Sequence, residues 1–149
     1  MVTIRPVQPT HSDTWLRMRC ALWPDGSAAE HGEEIRQFFA GEFPRWPWNV
    51  LMAFDQAGLP VGFAEVSVRP YAEGCASQVA YLEGWWVEPT ARGAGVGRAL
   101  IQAAEQWGRD RGLTEFASDA DPDNEASIAA HLATGFEDAG LVRCFRKQL

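Results

Sequence analysis

The sequence predicts one domain of the α/β class, a mixed and mostly antiparallel sheet flanked by helices. Three observations carry that expectation. Asn49 to Asp55 and Val61 to Arg69 are two strand-like runs around the turn Gln56-Ala57-Gly58-Leu59-Pro60, a hairpin pattern. The stretch Tyr81 to Leu100 passes from aromatic and β-branched residues, through glycines, into a helical period. Leu100, Ile101, Ala104, Trp107 and Gly108 then share one face at helical spacing.

The remaining elements follow in chain order. Val2 to Val7 reads as a first strand, and Pro9 to Asp13 as turn and cap. A helical face then runs through Trp15, Leu16, Met18, Arg19 and Leu22, ended by Trp23-Pro24-Asp25-Gly26. A second helix starts near Ala28 or Gly32 and carries Glu34, Ile35, Phe38 and Phe39. An aromatic loop from Gly41 to Trp48 breaks it. After the hairpin, Pro70 to Gln78 is a loop and Val79 to Val87 pairs back as a third antiparallel strand. The helix from Gly97 to Arg111 stops at Gly112. Leu113 to Ser118 is a strand, Asn124 or Asp123 caps a helix ending at Gly135, and Leu141 to Lys147 is a last strand. The expected order is β-α-α-β-β-β-α-β-α-β.

A chain of 149 residues can bury a real core as a single domain, 1–149. Its formal charge of −7 argues against nucleic acid and anionic membrane partners and suits a cationic ligand. The local density matters more: Glu115, Asp119, Asp121, Asp123 and Glu125 crowd one short stretch. No apolar run reaches the ~18 residues of a membrane span, and Met1 to Pro6 has no apolar signal core, so a cytoplasmic protein is expected. Cys20, Cys75 and Cys144 show neither CxxC spacing nor a His pairing suited to zinc, so buried free thiols and no metal are expected.

The glycine stretch is built for phosphate. Pro89 ends a strand, Arg92-Gly93-Ala94-Gly95-Val96-Gly97 is a turn, and Arg98 begins a helix. Glycines let the backbone approach closely, and the helix N-terminus offers free N–H groups and a positive dipole end. The pattern G-x-G-x-G lacks the dinucleotide fingerprint G-x-G-x-x-G, and no Gly-Lys-Ser/Thr of a Walker loop is present. Arg92-x-x-Gly95-x-Gly97 resembles the pyrophosphate loop of the GNAT N-acyltransferases. The block from Asn124 through Ser127 to Gly135-Phe136 resembles that family's C-terminal motif, which often carries Tyr where this chain has His131.

Within the superfamily the chain is most similar to the aminoglycoside 6′-N-acetyltransferases, a set of resistance enzymes. The resemblance rests on Leu22-Trp23-Pro24, Gly32-Glu33-Glu34-Ile35, Gly62-Phe63-Ala64, Gly74-Cys75, Leu82-Glu83-Gly84, Gln106-Trp107-Gly108 and Ala117-Ser118-Asp119. It implies a GNAT fold, acetyl-CoA as acyl donor, a cationic aminoglycoside as acceptor and a homodimer. It also implies Trp23, Tyr71, Glu83 and Asp119 at the aminoglycoside. Arg92, Gly93, Ala94, Gly95, Val96, Gly97, Arg98 and Asn124 would hold the coenzyme, with the backbone of Trp85, Trp86 and Val87 beside the thioester.

The chemistry of such a site is amine attack on a thioester. A sugar amine arrives mostly as an ammonium, which a carboxylate holds most strongly where solvent is excluded. Glu83 in mid-strand and Asp119 at a strand end could face one cleft, with Glu83 holding the ammonium or acting as base, directly or through water. The N–H groups of Trp85 to Val87, freed by a splay or bulge, are candidates for the oxyanion. Many family members place a Tyr near the chain end to protonate the thiolate, where this chain has Phe145, which cannot donate, so Tyr71, water or simple thiolate release must serve. The reading leaves two alternatives: acetylation of another small amine, such as a polyamine or amino sugar, and a non-catalytic acyl-CoA or drug-binding module. The apolar last strand could supply a dimer contact.

Overall fold

The computed structural model describes residues 1–42 and 49–149, so most of the aromatic loop expected between Gly41 and Trp48 lies outside the described residues. Among the described residues, five strands and four α-helices follow in chain order: β1 (Thr3–Pro6), α1 (Ser12–Leu22), α2 (Ala28–Ala40), β2 (Asn49–Phe54), β3 (Pro60–Arg69), β4 (Val79–Val87), α3 (Val96–Arg109), β5 (Phe116–Ser118) and α4 (Glu125–Ala133). The sheet order is β1-β2-β3-β4-β5. The first four strands pair antiparallel and β5 joins β4 in parallel.

Local chemistry sets the helix ends. Ser27 Oγ accepts from Glu30 N at 3.1 Å while Glu30 reaches back to Ser27 N at 3.4 Å, a capping box that starts α2 at Ala28 rather than Gly32. Gly41, at φ +69°, takes the left-handed conformation that closes the same helix. For α4 the cap is Asn124, whose Oδ1 accepts from Ser127 N at 3.1 Å.

Strand periodicity sorts the core into two layers. Leu51, Ala53, Ala64, Val66, Ala80 and Leu82 pack against Val96, Leu100, Ile101, Ala104 and Trp107 of α3. The alternate residues Val50, Met52, Phe54 and Phe63 pack against Trp15 and Met18 of α1 and Ile35 of α2. The sheet therefore separates an α3 face from an α1–α2 face, which decides where each site residue lies.

Three expectations are corrected. Leu141 to Lys147 is not a strand: residues 137–149 form no regular element, and Leu141, Val142 and Phe145 are exposed. A strand exists only where a neighbour accepts its ladder, and sequence character alone does not supply one. β5 is shorter than Leu113 to Ser118, because its ladder with β4 covers only Phe116 to Ser118; Leu113 packs on the α3 core instead. The cysteines are free, but Cys144 is exposed on the irregular tail, and Cys20 and Cys75 are only partly covered.

Candidate active site

The register between β3 and β4 slips at one point. Glu65 stands opposite Gly84 and Val66 opposite Leu82, which leaves Glu83 as the extra residue of a bulge. Glu83 lies on the face away from α3, as Tyr81 does two residues earlier, and there it meets the side chains of Ser67 and Arg69. Ser67 Oγ donates to Glu83 Oε1, and Arg69 grips the carboxylate from Nε at 2.8 Å and Nη2 at 2.6 Å. The Arg69 guanidinium carbon also lies over the Tyr81 ring, 3.7 Å from its centroid. The Tyr81 hydroxyl donates to Asp119 Oδ2. Burial, then the Asp119 carboxylate beside it, push that hydroxyl well above the usual phenol range, so it stays a donor. Glu83 and Asp119 are thus joined through Arg69 and Tyr81 on one face of the sheet, as a single cleft requires.

Trp23 belongs to the same neighbourhood. It follows the last turn of α1, and its ring edge lies against Gly84, where a Cβ would come within 2.5 Å of Cη2. His31 stacks on it at 6.1 Å, and the Arg19 guanidinium lies 5.1 Å from its ring. Tyr71 is different. It is exposed on the β3–β4 loop with Glu73 as its partner.

Beneath this cluster is a buried charge that the sequence reading missed. Glu65 is fully buried, accepts from Trp15 Nε1 at 2.9 Å, and lies 2.8 Å from Arg19 Nε. Arg19 Nη1 reaches Glu34 at 2.5 Å. Burial pushes the Glu65 carboxyl up, while Arg19 and Trp15 pull against it. The only sequence signal was a lone Glu inside the hydrophobic run of β3. Ser67, Arg69 and Tyr81 were missed too, although Ser67 and Arg69 share a strand face with period two, as do Tyr81 and Glu83.

The glycine loop lies at the end of β4, against the α3 face. Gly93 and Gly95 have φ of +80° and +81°, with open space where their side chains would be. Gly95 is the N-cap of α3 and offers no side chain, so the first N–H groups of the helix at Val96, Gly97 and Arg98 are left to an incoming anion. Gly97 is held open by contact instead: a Cβ there would meet Trp85 Cζ2 at 3.0 Å. The two basic residues brace the loop. Arg92 Nε donates to Val87 O at 2.9 Å with its guanidinium over Trp86, and Arg98 Nη2 donates to Ala133 O at 2.7 Å. The anion-binding capacity therefore resides in backbone amides, and a diphosphate fits a cradle that is bare of side chains. Asn124 spends its Oδ1 on capping α4.

Between these two regions the sheet opens. The parallel ladder of β4 with β5 ends at Leu82 and Ser118, while β4 continues to pair with β3 as far as Val87. Glu83 to Val87 thus have a strand on one side and, among the described residues, none on the other. The bulge comes two residues before the Trp85–Val87 stretch expected for the oxyanion, but the splay beside that stretch is present.

The pattern of the acetyltransferase (GNAT) family matches residues 13–136. The aminoglycoside N(6′)-acetyltransferase type 1 of Klebsiella aerogenes is 56% identical over 98% of this chain and 96% of its own length. The Stenotrophomonas maltophilia protein of the same name is 42% identical, over 99% and 94%. Among solved structures, AAC(6′)-Iy in complex with the bisubstrate analogue CoA-S-monomethyl-acetylneamine superposes with a TM-score of 0.89 at 34% identity, over 100% of this chain and 99% of that one. AAC(6′)-Ih from Acinetobacter baumannii gives 0.88 at 34%, with the same coverage. With the phosphate cradle, the parted strands and the carboxylate pair in one sheet, and with these relatives matched end to end, the chain belongs to the GNAT acetyltransferase family.

Proposed function

We propose that this protein transfers the acetyl group of acetyl-CoA to the 6′-amine of aminoglycoside antibiotics, by direct attack of the amine on the thioester, and so confers resistance. The observation that carries the reading is the division of labour across the sheet. The phosphate cradle belongs to the α3 face, the Glu83–Asp119 pair to the opposite face, and the parted β4 and β5 give a thioester arm a way between them. The relatives' names supply the acceptor: two are aminoglycoside N(6′)-acetyltransferases, and one neighbour is held with a CoA–neamine bisubstrate analogue.

In this reading the N–H groups of Val96, Gly97 and Arg98 hold the diphosphate, with Arg92, Gly93, Ala94 and Gly95 shaping the turn that presents them. Asn124 fixes the start of α4 beside the pantetheine arm. The backbone of Trp85, Trp86 and Val87, open on its β5 side, receives the thioester carbonyl as it gains charge. Trp23 gives an aminosugar ring an apolar floor, Tyr71 an outer wall, and the two carboxylates its cationic counterpart. Glu83, held at both oxygens by Arg69, orients the ammonium, and water carries off its proton.

The protein works in the cytoplasm in this reading, where three free thiols and a thioester donor are at home. A second copy is its partner. Among the described residues, the exposed apolar tail, Leu141, Val142, Phe145 and Leu149, has no cover, and β5 keeps an outer edge with no strand on it. Light scattering on the full chain and on a chain ending at residue 140 tests this: a monomeric full-length protein would remove the dimer.

Thiol release from acetyl-CoA, followed across an aminoglycoside panel, tests the activity. Compounds with a 6′-amine should release thiol, and 6′-hydroxyl analogues should bind without release. Turnover of polyamines but of no aminoglycoside would overturn the assignment.

A further inference from the structure

Acyl transfer leaves sulfur as a thiolate that needs a proton. Phe145 cannot give one, and it is exposed on the tail. On the α3 face, at the rung where β4 and β5 part, three groups stand in line. His131 Nδ1 is 2.7 Å from the Ser127 carbonyl oxygen. A carbonyl oxygen only accepts, so Nδ1 carries the hydrogen. His131 Nε2 is 2.8 Å from Ser118 Oγ, and Ser118 Oγ is 3.4 Å from Leu82 O. The imidazole meets Trp85 edge-on, with centroids 5.4 Å apart. It therefore borders the backbone assigned to the thioester.

We propose that Ser118 and His131 form a proton relay to the departing thiolate, Ser118 meeting the sulfur and His131 supplying Ser118. With Nδ1–H committed to Ser127, only Nε2 is left to exchange a proton. A neutral ring accepts the Ser118 hydroxyl. A protonated ring donates to Ser118 Oγ instead and turns the hydroxyl hydrogen outwards to the parted strands. As the amine nitrogen bonds to the carbonyl carbon and the C–S bond breaks, the sulfur pair takes the Ser118 hydrogen. Ser118 takes the one on Nε2, and His131 is left neutral. The proton shed by the new amide nitrogen goes to water, and water recharges His131. The sum is amine plus thioester giving amide plus thiol.

Charged groups on the packed elements point elsewhere. Arg98 of α3 is bonded to Ala133 O. Glu83 of β4 is bonded to Arg69, Asp119 after β5 accepts from Tyr81, and Glu125 of α4 is exposed. Among the described residues, the ring nitrogens thus meet serines, with Ser127 Oγ 3.4 Å from Nδ1.

The relay rests on the acyl-transfer reading and is tested by leaving-group dependence. Ser118→Ala and His131→Gln are assayed with acetyl-CoA and with an acetyl aryl thioester, whose thiol is far more acidic. Loss of a general acid should lower kcat/KM with acetyl-CoA by roughly 10²-fold and leave the aryl donor nearly untouched, with CoA binding by calorimetry little changed. Equal loss with both donors, no loss with acetyl-CoA, or parallel loss of CoA binding in both variants would reduce the pair to a brace and overturn the relay. The ratios are read with any amine the wild-type enzyme acetylates, so failure on aminoglycosides would count against the acceptor and not against the relay.

Discussion

Arg69 holds the Glu83 carboxylate with two nitrogens, Nε at 2.8 Å from one oxygen and Nη2 at 2.6 Å from the other. The Glu83 side chain is 5% exposed and that of Arg69 31%. The cation is therefore the solvent-facing cover of the anion. Arg69→Leu would leave a nearly buried carboxylate with Ser67 alone, and the expected loss is about 1–3 kcal/mol of stability. Arg69→Lys restores charge without the two-point grip and should recover only part of it. Urea denaturation checks both; an unmoved midpoint in Arg69→Leu would show that the pair is not a structural bond.

Under the proposed function, the same arrangement sets the charge that a drug meets. Glu83 and Asp119 are two anions, and Arg69 is one cation between them. Either Glu83→Gln or Asp119→Asn removes the excess negative charge, so each should weaken aminoglycoside binding. The difference from wild type should shrink as salt rises, because screening acts on the wild-type attraction. Calorimetry at two ionic strengths measures it. Binding that is unchanged in both variants would reject the carboxylate pair as the ammonium site.

Glu65 predicts a pH dependence of stability. Burial raises its carboxyl in the folded chain, so above the ordinary carboxylate range the folded state retains a proton that the unfolded chain has lost. Stability contributed by that proton is present at low pH and falls as pH rises through the folded value. Glu65→Gln should flatten this slope while leaving Arg19 to pair with Glu34 alone. Thermal melts of both proteins from acidic to neutral pH give the comparison; parallel curves would count against a raised Glu65.

The hairpin, the glycine turn into α3 and the α3 face were legible because each is written locally: alternation, glycines before a helical run, and apolar spacing over fourteen residues. The last strand misled because Leu141 to Phe145 has strand composition but, among the described residues, no ladder to join. Arg69 and Tyr81 stayed hidden for another reason. Their meeting with Glu83 and Asp119 depends on how β3 and β5 are registered against β4, and local spacing within one strand does not encode a register between strands. The His131 line needed three elements brought together, which no spacing in the sequence encodes.

Two glycines of the loop should fail for different reasons. Gly95→Ala forces a side chain onto a φ of +81°, at a strain of about 1 kcal/mol with no clash. Gly97→Ala has an ordinary backbone but drives its methyl into Trp85. Both should weaken CoA binding, while aminoglycoside binding on the opposite face holds. Only the Gly97→Ala loss should be relieved by a second change, Trp85→Leu, that removes the indole. Relief of both, or of neither, would mean that the two positions share one constraint.

Gly84→Ala is the sharpest probe of the acceptor side. A methyl there would come within 2.5 Å of Trp23 Cη2 and 2.9 Å of Cζ2, and the indole is the end that must yield. Trp23 is fixed in turn by His31 and Arg19, so it cannot tilt without disturbing the Arg19–Glu65 pair. The substitution should raise KM for aminoglycosides about tenfold, the effect of ~1.4 kcal/mol of lost binding, and leave KM for acetyl-CoA near its wild-type value. Trp23→Phe, a smaller ring, should restore part of the loss in the double variant. An unchanged aminoglycoside KM in Gly84→Ala would separate Trp23 from the acceptor site and leave the carboxylates to hold the drug without an apolar floor.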